Sequence, residues 1–82
     1  MNFYIISPFE KKTHSVAWLE INTPLGNYVI QPGHVPMILT LSANKELIYC
    51  LTSGKQESFI VKQGLIEITR TTATVLLDEQ TI

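Results

Sequence analysis

The stretch Glu46-Leu47-Ile48-Tyr49-Cys50-Leu51-Thr52-Ser53-Gly54-Lys55-Gln56-Glu57-Ser58-Phe59-Ile60-Val61-Lys62 decides the fold class. Side chains of an extended chain alternate between faces, so Leu47, Tyr49 and Leu51 share one face and Glu46, Ile48, Cys50 and Thr52 the other. Ser53-Gly54 is a turn signal, and beyond it Phe59 and Val61 point together, opposite Ile60. Two alternating runs about a turn make a hairpin. The pattern then repeats. Ile66 and Ile68 oppose Glu67 and Thr69, residues 70–72 turn the chain, and Val75 and Leu77 share a face of a run over residues 74–78.

Upstream, residues 2–7 read as a strand ended by Pro8, and residues 15–22 as another ended by Thr23-Pro24 and the turn pair Gly26-Asn27. Residues 28–31 resume extended structure. Pro32-Gly33 suits a tight turn, and Pro36 keeps Val35 out of the helical region before a strand over residues 37–41. The composition agrees: 24 Ile, Val and Thr residues against three Ala favour pleated, half-buried surface over helix. Short strands separated by frequent turns, with no window of helical period, predict an all-β fold. The expected architecture is an antiparallel sandwich or flattened barrel forming one domain over residues 1–82.

Composition also limits function. Six basic and seven acidic residues leave a formal charge of −1, which provides no field to hold nucleic acid. The single cysteine, Cys50, can form neither an internal disulfide nor a multi-thiolate metal site, which suits a reducing compartment. Apolar stretches, Phe3 to Ile6 for example, are far shorter than a membrane-spanning helix needs.

Catalysis needs converging groups, and the residues do not suggest them. His14 and His34 are placed in separate turn regions without carboxylates or thiols at ligand spacing, so no metal site is expected. Cys50 reads as a small hydrophobe in a strand. Asp78 and Glu79, adjacent on a strand, would point to opposite faces, and Lys11-Lys12 beside Glu10 read as solvated turn charges. The glycines at 26, 33, 54 and 64 are dispersed and none opens a helix, so no phosphate loop and no nucleotide binding is expected. Trp18 is read as core packing in preference to an interface anchor. The runs 16–19, 28–30 and 36–39 are apolar at successive positions, which predicts strands with two apolar faces, both covered, one of them by a partner protein.

The segment Gly26-Asn27-Tyr28-Val29-Ile30-Gln31-Pro32-Gly33-His34-Val35-Pro36-Met37-Ile38-Leu39-Thr40-Leu41 resembles the signature of the epsilon subunit of F-type ATP synthase, called delta in mitochondria. In that family a Gly precedes an apolar strand, a Pro-Gly-His-x-Pro turn and a second apolar strand. The likeness extends to Ile5-Ile6-Ser7-Pro8, to residues 59–68 about Gly64, and to Thr74-Val75-Leu76-Leu77-Asp78-Glu79. Leu25 and Asn27 stand where the family usually carries acidic residues. Gln31 replaces a common aliphatic and Gln63 a common Gly. Ala43-Asn44-Lys45 replaces a Pro-Gly turn, and no carboxy-terminal helical hairpin follows.

The resemblance implies a ten-stranded flattened sandwich. It implies a noncatalytic rotor subunit at the foot of the central stalk, without cofactor, coupling rotation of the c-ring through the gamma subunit to ATP synthesis or hydrolysis. It implies a peripheral position at the cytoplasmic face of the bacterial inner membrane. By the same resemblance, Gly26, Asn27 and His34 would contact the c-ring, Pro32, Gly33 and Pro36 would shape that loop, and Met37, Ile38 and Leu39 would meet gamma. The alternative is a stand-alone sandwich that binds other proteins on the same scaffold.

Overall fold

The structure, a computed structural model, describes residues 1–78; Glu79 and the three residues after it lie outside the described residues. It holds eight strands: β1 (Asn2–Ile6), β2 (Lys11–Thr23), β3 (Gly26–Ile30), β4 (Met37–Thr40), β5 (Lys45–Leu51), β6 (Gln56–Val61), β7 (Gly64–Ile68) and β8 (Thr72–Leu77). The alternating residues form these strands because one set can be buried while the other meets water. Ile66, Ile68, Val75 and Leu77 are buried while Glu67 is exposed, as the pattern predicts.

The strands form two layers that share β2. One layer runs β4-β7-β8-β1 and ends on the first part of β2; the other runs β3-β2-β5-β6. β2 can serve both because it carries a bulge: Val16 pairs with Leu51 and Trp18 with Cys50, leaving Ala17 as the extra residue. The bulge shifts the side-chain phase, so Val16 and Leu19, three apart, are both fully buried. The result is flattened, 27 × 26 × 18 Å, with Phe3, Ile5, Leu19, Ile21, Ile30, Leu47, Ile66 and Val75 between the layers. Fully burying one such side chain is worth roughly 1.5–3 kcal/mol. Tyr49 joins the core between Phe3 and Phe59, with ring centroids 5.2 and 6.4 Å away.

Several expectations need correction. The described residues hold eight strands and not the ten expected. The sheet is not wholly antiparallel: β1 and β8 run parallel, Phe3 opposite Ala73 and Ile5 opposite Val75. β8 reaches the free side of β1 after the chain has crossed both layers, and no hairpin constrains their direction. β2 starts at Lys11, because the polar residues 11–15 complete the β1 hairpin. His14 therefore sits in a strand, its ring 5.1 Å from that of Tyr49. Trp18 is outside the core; the bulge turns it to the outer face beside Cys50, where it is half-buried. Within this single chain the outer faces of β3 and β4 are open, with Val29 and Ile38 51% and 67% exposed.

Candidate functional site

The β2–β3 hairpin ends in Pro24-Leu25, both exposed, and Leu25 is 82% accessible. Thr23 locks this turn: its buried hydroxyl donates to the Gly26 carbonyl (2.9 Å) and accepts the Leu25 amide (3.1 Å). Gly26, at φ 135°, takes a backbone conformation that side-chain-bearing residues rarely adopt. Beside it Asn27 starts a polar shelf on the outer face. The Asn27 amide donates to Glu20 Oε2 (3.0 Å) and Asn22 Oδ1 (3.2 Å), the Asn22 amide donates to the Glu46 carbonyl (3.2 Å), and Ser58 Oγ donates to Glu46 Oε2 (2.7 Å). Composition alone missed this shelf, because Glu20, Asn27 and Glu46 belong to three strands and only the register brings them near: Asn27 stands opposite Asn22 and reaches Glu20 on the diagonal.

His34 is elsewhere. β3 separates it from Gly26 and Asn27 by roughly 15 Å of extended chain, so the expected single loop of Gly26, Asn27 and His34 does not exist as one surface. The loop of Pro32, Gly33 and Pro36 is shaped as a turn: the His34 amide donates to the Gln31 carbonyl (3.1 Å), and the Gly33 amide donates to the Arg70 carbonyl (2.7 Å). The half-buried His34 ring places Nδ1 2.9 Å from the Val35 carbonyl, a contact the Nδ1–H tautomer makes as donor. That packs the imidazole into its own turn.

Of Met37, Ile38 and Leu39, the structure turns only Ile38 outward. Met37 and Leu39 are half-buried and pack on the core, as alternation requires. On that outer face, the register lines Leu65 of β7, Leu76 of β8 and Ile6 of β1 into one row, with Ile38 in the adjoining row. Leu65 and Leu76 are 39% and 41% exposed. An apolar row across three central strands is a surface suited to a protein partner. The opposite outer face carries Val29, Trp18, Ile48 and Ile60 around the polar shelf.

Reactive chemistry has little to build on. Among the described residues no three His, Cys, Asp or Glu side chains come together as a metal site. Cys50 is buried against the strand backbone. Asp78 lies at the end of β8, and its proposed neighbour Glu79 is outside the described residues. Burial, and then the nearby Glu57 carboxylate, push the Tyr49 hydroxyl above its usual range; it donates to Glu57 Oε2 at 3.2 Å. No helix among the described residues is long and apolar enough to cross a membrane.

The shape and the motif meet in one comparison. The family model of the ATP synthase delta/epsilon chain beta-sandwich domain matches residues 1–81. The chain belongs to that family. The delta/epsilon sandwich is also similar in fold to chains in two cryo-EM structures. One is the Euglena gracilis mitochondrial ATP synthase, OSCP/F1/c-ring in rotational state 1, at TM-score 0.85 and 19% identity, covering 94% of this chain and 49% of that one. The other is the central stalk/c-ring of the Tetrahymena thermophila mitochondrial ATP synthase, at TM-score 0.81 and 14% identity, covering 96% of this chain and 63% of that one. This delta/epsilon domain thus spans about half to under two thirds of the chains it superposes on. A search of curated protein sequences gives no match.

Proposed function

We propose that this chain is a noncatalytic central-stalk element of a rotary F-type ATP synthase, gripped by a gamma subunit and resting on the c-ring. The observation that carries the reading is the delta/epsilon family match over residues 1–81. It is supported by the fold shared with chains of ATP synthase structures that contain a c-ring. The domain transmits torque as a rigid block, and a core locked between two layers gives it the stiffness to do so. Its place is peripheral, on the membrane face that carries the catalytic head; in a bacterium that is the cytoplasmic face of the inner membrane.

Two surfaces divide the work. The β2–β3 hairpin, with Gly26 and Asn27 behind the exposed tip Pro24-Leu25, faces the polar loops of the c-ring. His34, at the opposite end of β3, faces away from the ring in this arrangement. The outer row of Leu65, Leu76 and Ile6 with Ile38 meets gamma, because desolvating apolar side chains on a flat sheet gives a non-polar partner its anchor.

The test is co-purification of the full chain with gamma and with the assembled synthase. Leu76→Lys should lower gamma binding at least tenfold while leaving the denaturation midpoint within experimental error, and Asn27→Ala should reduce ATP-driven ion pumping without loss of gamma. A wild-type chain that neither binds gamma nor fractionates with the synthase would remove the rotor reading.

A further inference from the structure

The tip that the rotor reading turns toward the ring is a two-residue loop, Pro24-Leu25, between Thr23 at the end of β2 and Gly26 at the start of β3. Two-residue hairpin loops favour turns with positive φ at a central position, because these match the right-handed twist of the flanking strands. This loop does not use one. The proline ring fixes Pro24 at negative φ, and φ is not positive at Leu25 either. The mismatch is taken up on both sides of the loop. Gly26 lies at φ 135°, and the Thr23 side chain bonds across the turn.

That side chain is buried, and its one hydroxyl works in both directions. It donates to the Gly26 carbonyl at 2.9 Å and accepts the Leu25 amide at 3.1 Å, a local bond of the kind Thr uses to fix a turn. The stem behind the loop is held by other groups. The Ser42 amide donates to the Asn22 carbonyl at 2.9 Å, and the Asn27 side-chain amide to Asn22 Oδ1 at 3.2 Å. With the stem anchored at Asn22 and Asn27, the conformation of residues 23–26 depends on the Thr23 hydroxyl.

We propose that Thr23 is a positioning residue for the ring contact: its hydroxyl holds the exposed Leu25 in one place, so that the ring meets a stiff tip. The proposal rests on the rotor reading. A loop ordered before contact loses little further backbone freedom when a partner docks, whereas a loose one must be ordered at that moment and yields under load. The hydroxyl and the methyl of Thr23 then have separate duties. The methyl belongs to the packing of a buried strand end, and the hydroxyl sets the loop.

Two substitutions separate these duties. Thr23→Val keeps the shape and removes the hydroxyl; Thr23→Ser keeps the hydroxyl and removes the methyl. Val suits a buried strand better than Ser does, so a purely structural role favours the first variant and a positioning role the second. In the assembled synthase carrying the full chain, the ions pumped per ATP hydrolysed should fall about threefold or more for Thr23→Val, with gamma retained. Thr23→Ser should keep the wild-type ratio even though its denaturation midpoint is the lower of the two. By NMR, the Leu25 amide should exchange about fivefold faster in Thr23→Val than in wild type or Thr23→Ser, while the β2–β5 ladder stays unchanged. Wild-type coupling in Thr23→Val, coupling that follows the denaturation midpoint, or unchanged exchange at Leu25 would overturn the proposal. A wild-type chain that never joins the synthase removes the rotor reading and this proposal with it, whereas coupling that survives Thr23→Val removes the proposal alone.

Discussion

At the scale of residues, Tyr49 ties stability to pH. Burial and the Glu57 carboxylate raise its pKa above the ordinary 10.0, so the folded chain holds the neutral phenol more tightly than the unfolded chain does. The resulting stabilisation is complete below pH 10.0 and is lost as pH rises through the higher folded value. Tyr49→Phe should cost about 1 kcal/mol or less near neutrality and flatten the alkaline fall, as read by urea denaturation at a series of pH values up to about 11. Gly64 shows a different constraint. A Cβ there would come within 2.6 Å of the Leu76 carbonyl oxygen and 3.0 Å of Leu77 Cδ2. Gly64→Ala should therefore destabilise by about 1–3 kcal/mol in denaturant titration, because backbone and not a flexible side chain blocks the space. The sequence gives no reason for a glycine at 64; the close approach that requires it belongs to the neighbouring strand β8. His34 was legible as part of a turn; that its ring folds back on the Val35 carbonyl, a strand's length from Asn27, was not.

The bulge in β2 is the decisive feature at the scale of elements. Ala17 lets Val16 and Leu19 both face inward and lets one strand serve two layers. Deleting Ala17 should leave Val16, Trp18 and Leu19 in plain alternation on the faces they already occupy, but remove the bend by which β2 passes from one layer to the other and so lower the melting temperature, whereas Ala17→Ser, at an exposed position, should stay within about 0.5 kcal/mol of wild type. Near-ultraviolet circular dichroism and thermal melts check both. The break in alternation over residues 16–19 was visible in the sequence as two partly apolar faces; that it marks a bulge was not, because a phase shift and a second apolar face leave the same run. A turn without the family's usual Pro-Gly shows the opposite case. Asn44 adopts φ 61°, which Asn tolerates better than most residues, and its amide donates to the Val61 carbonyl at 2.7 Å, so Ala43-Asn44-Lys45 makes a tight connection by other means.

At the scale of the whole molecule, the central pairing joins the first described strand to the last. β1 and β8 run parallel with about seventy residues between partners, and β2 must meet both β3 and β5 before the layers close. Such non-local order predicts folding in milliseconds to seconds, with stopped-flow fluorescence of Trp18 as the measurement; folding in microseconds would contradict the topology. Alternation and turn residues by themselves determined that the chain is all β and which residues of the later strands, such as Leu47, Tyr49, Ile66, Ile68, Val75 and Leu77, share an inward face, since these follow from the two-residue period and local backbone preference. The Pro-Gly-His-x-Pro motif and its neighbours pointed to the family. Only the tertiary structure decided that β1 lies beside β8, that Trp18 faces outward, that Glu20, Asn27 and Glu46 form one shelf, and that Asn27 and His34 occupy opposite ends. Strand order, register and bulge phase are set by contacts between residues distant in the chain, and a period of two carries no record of which strand becomes whose neighbour.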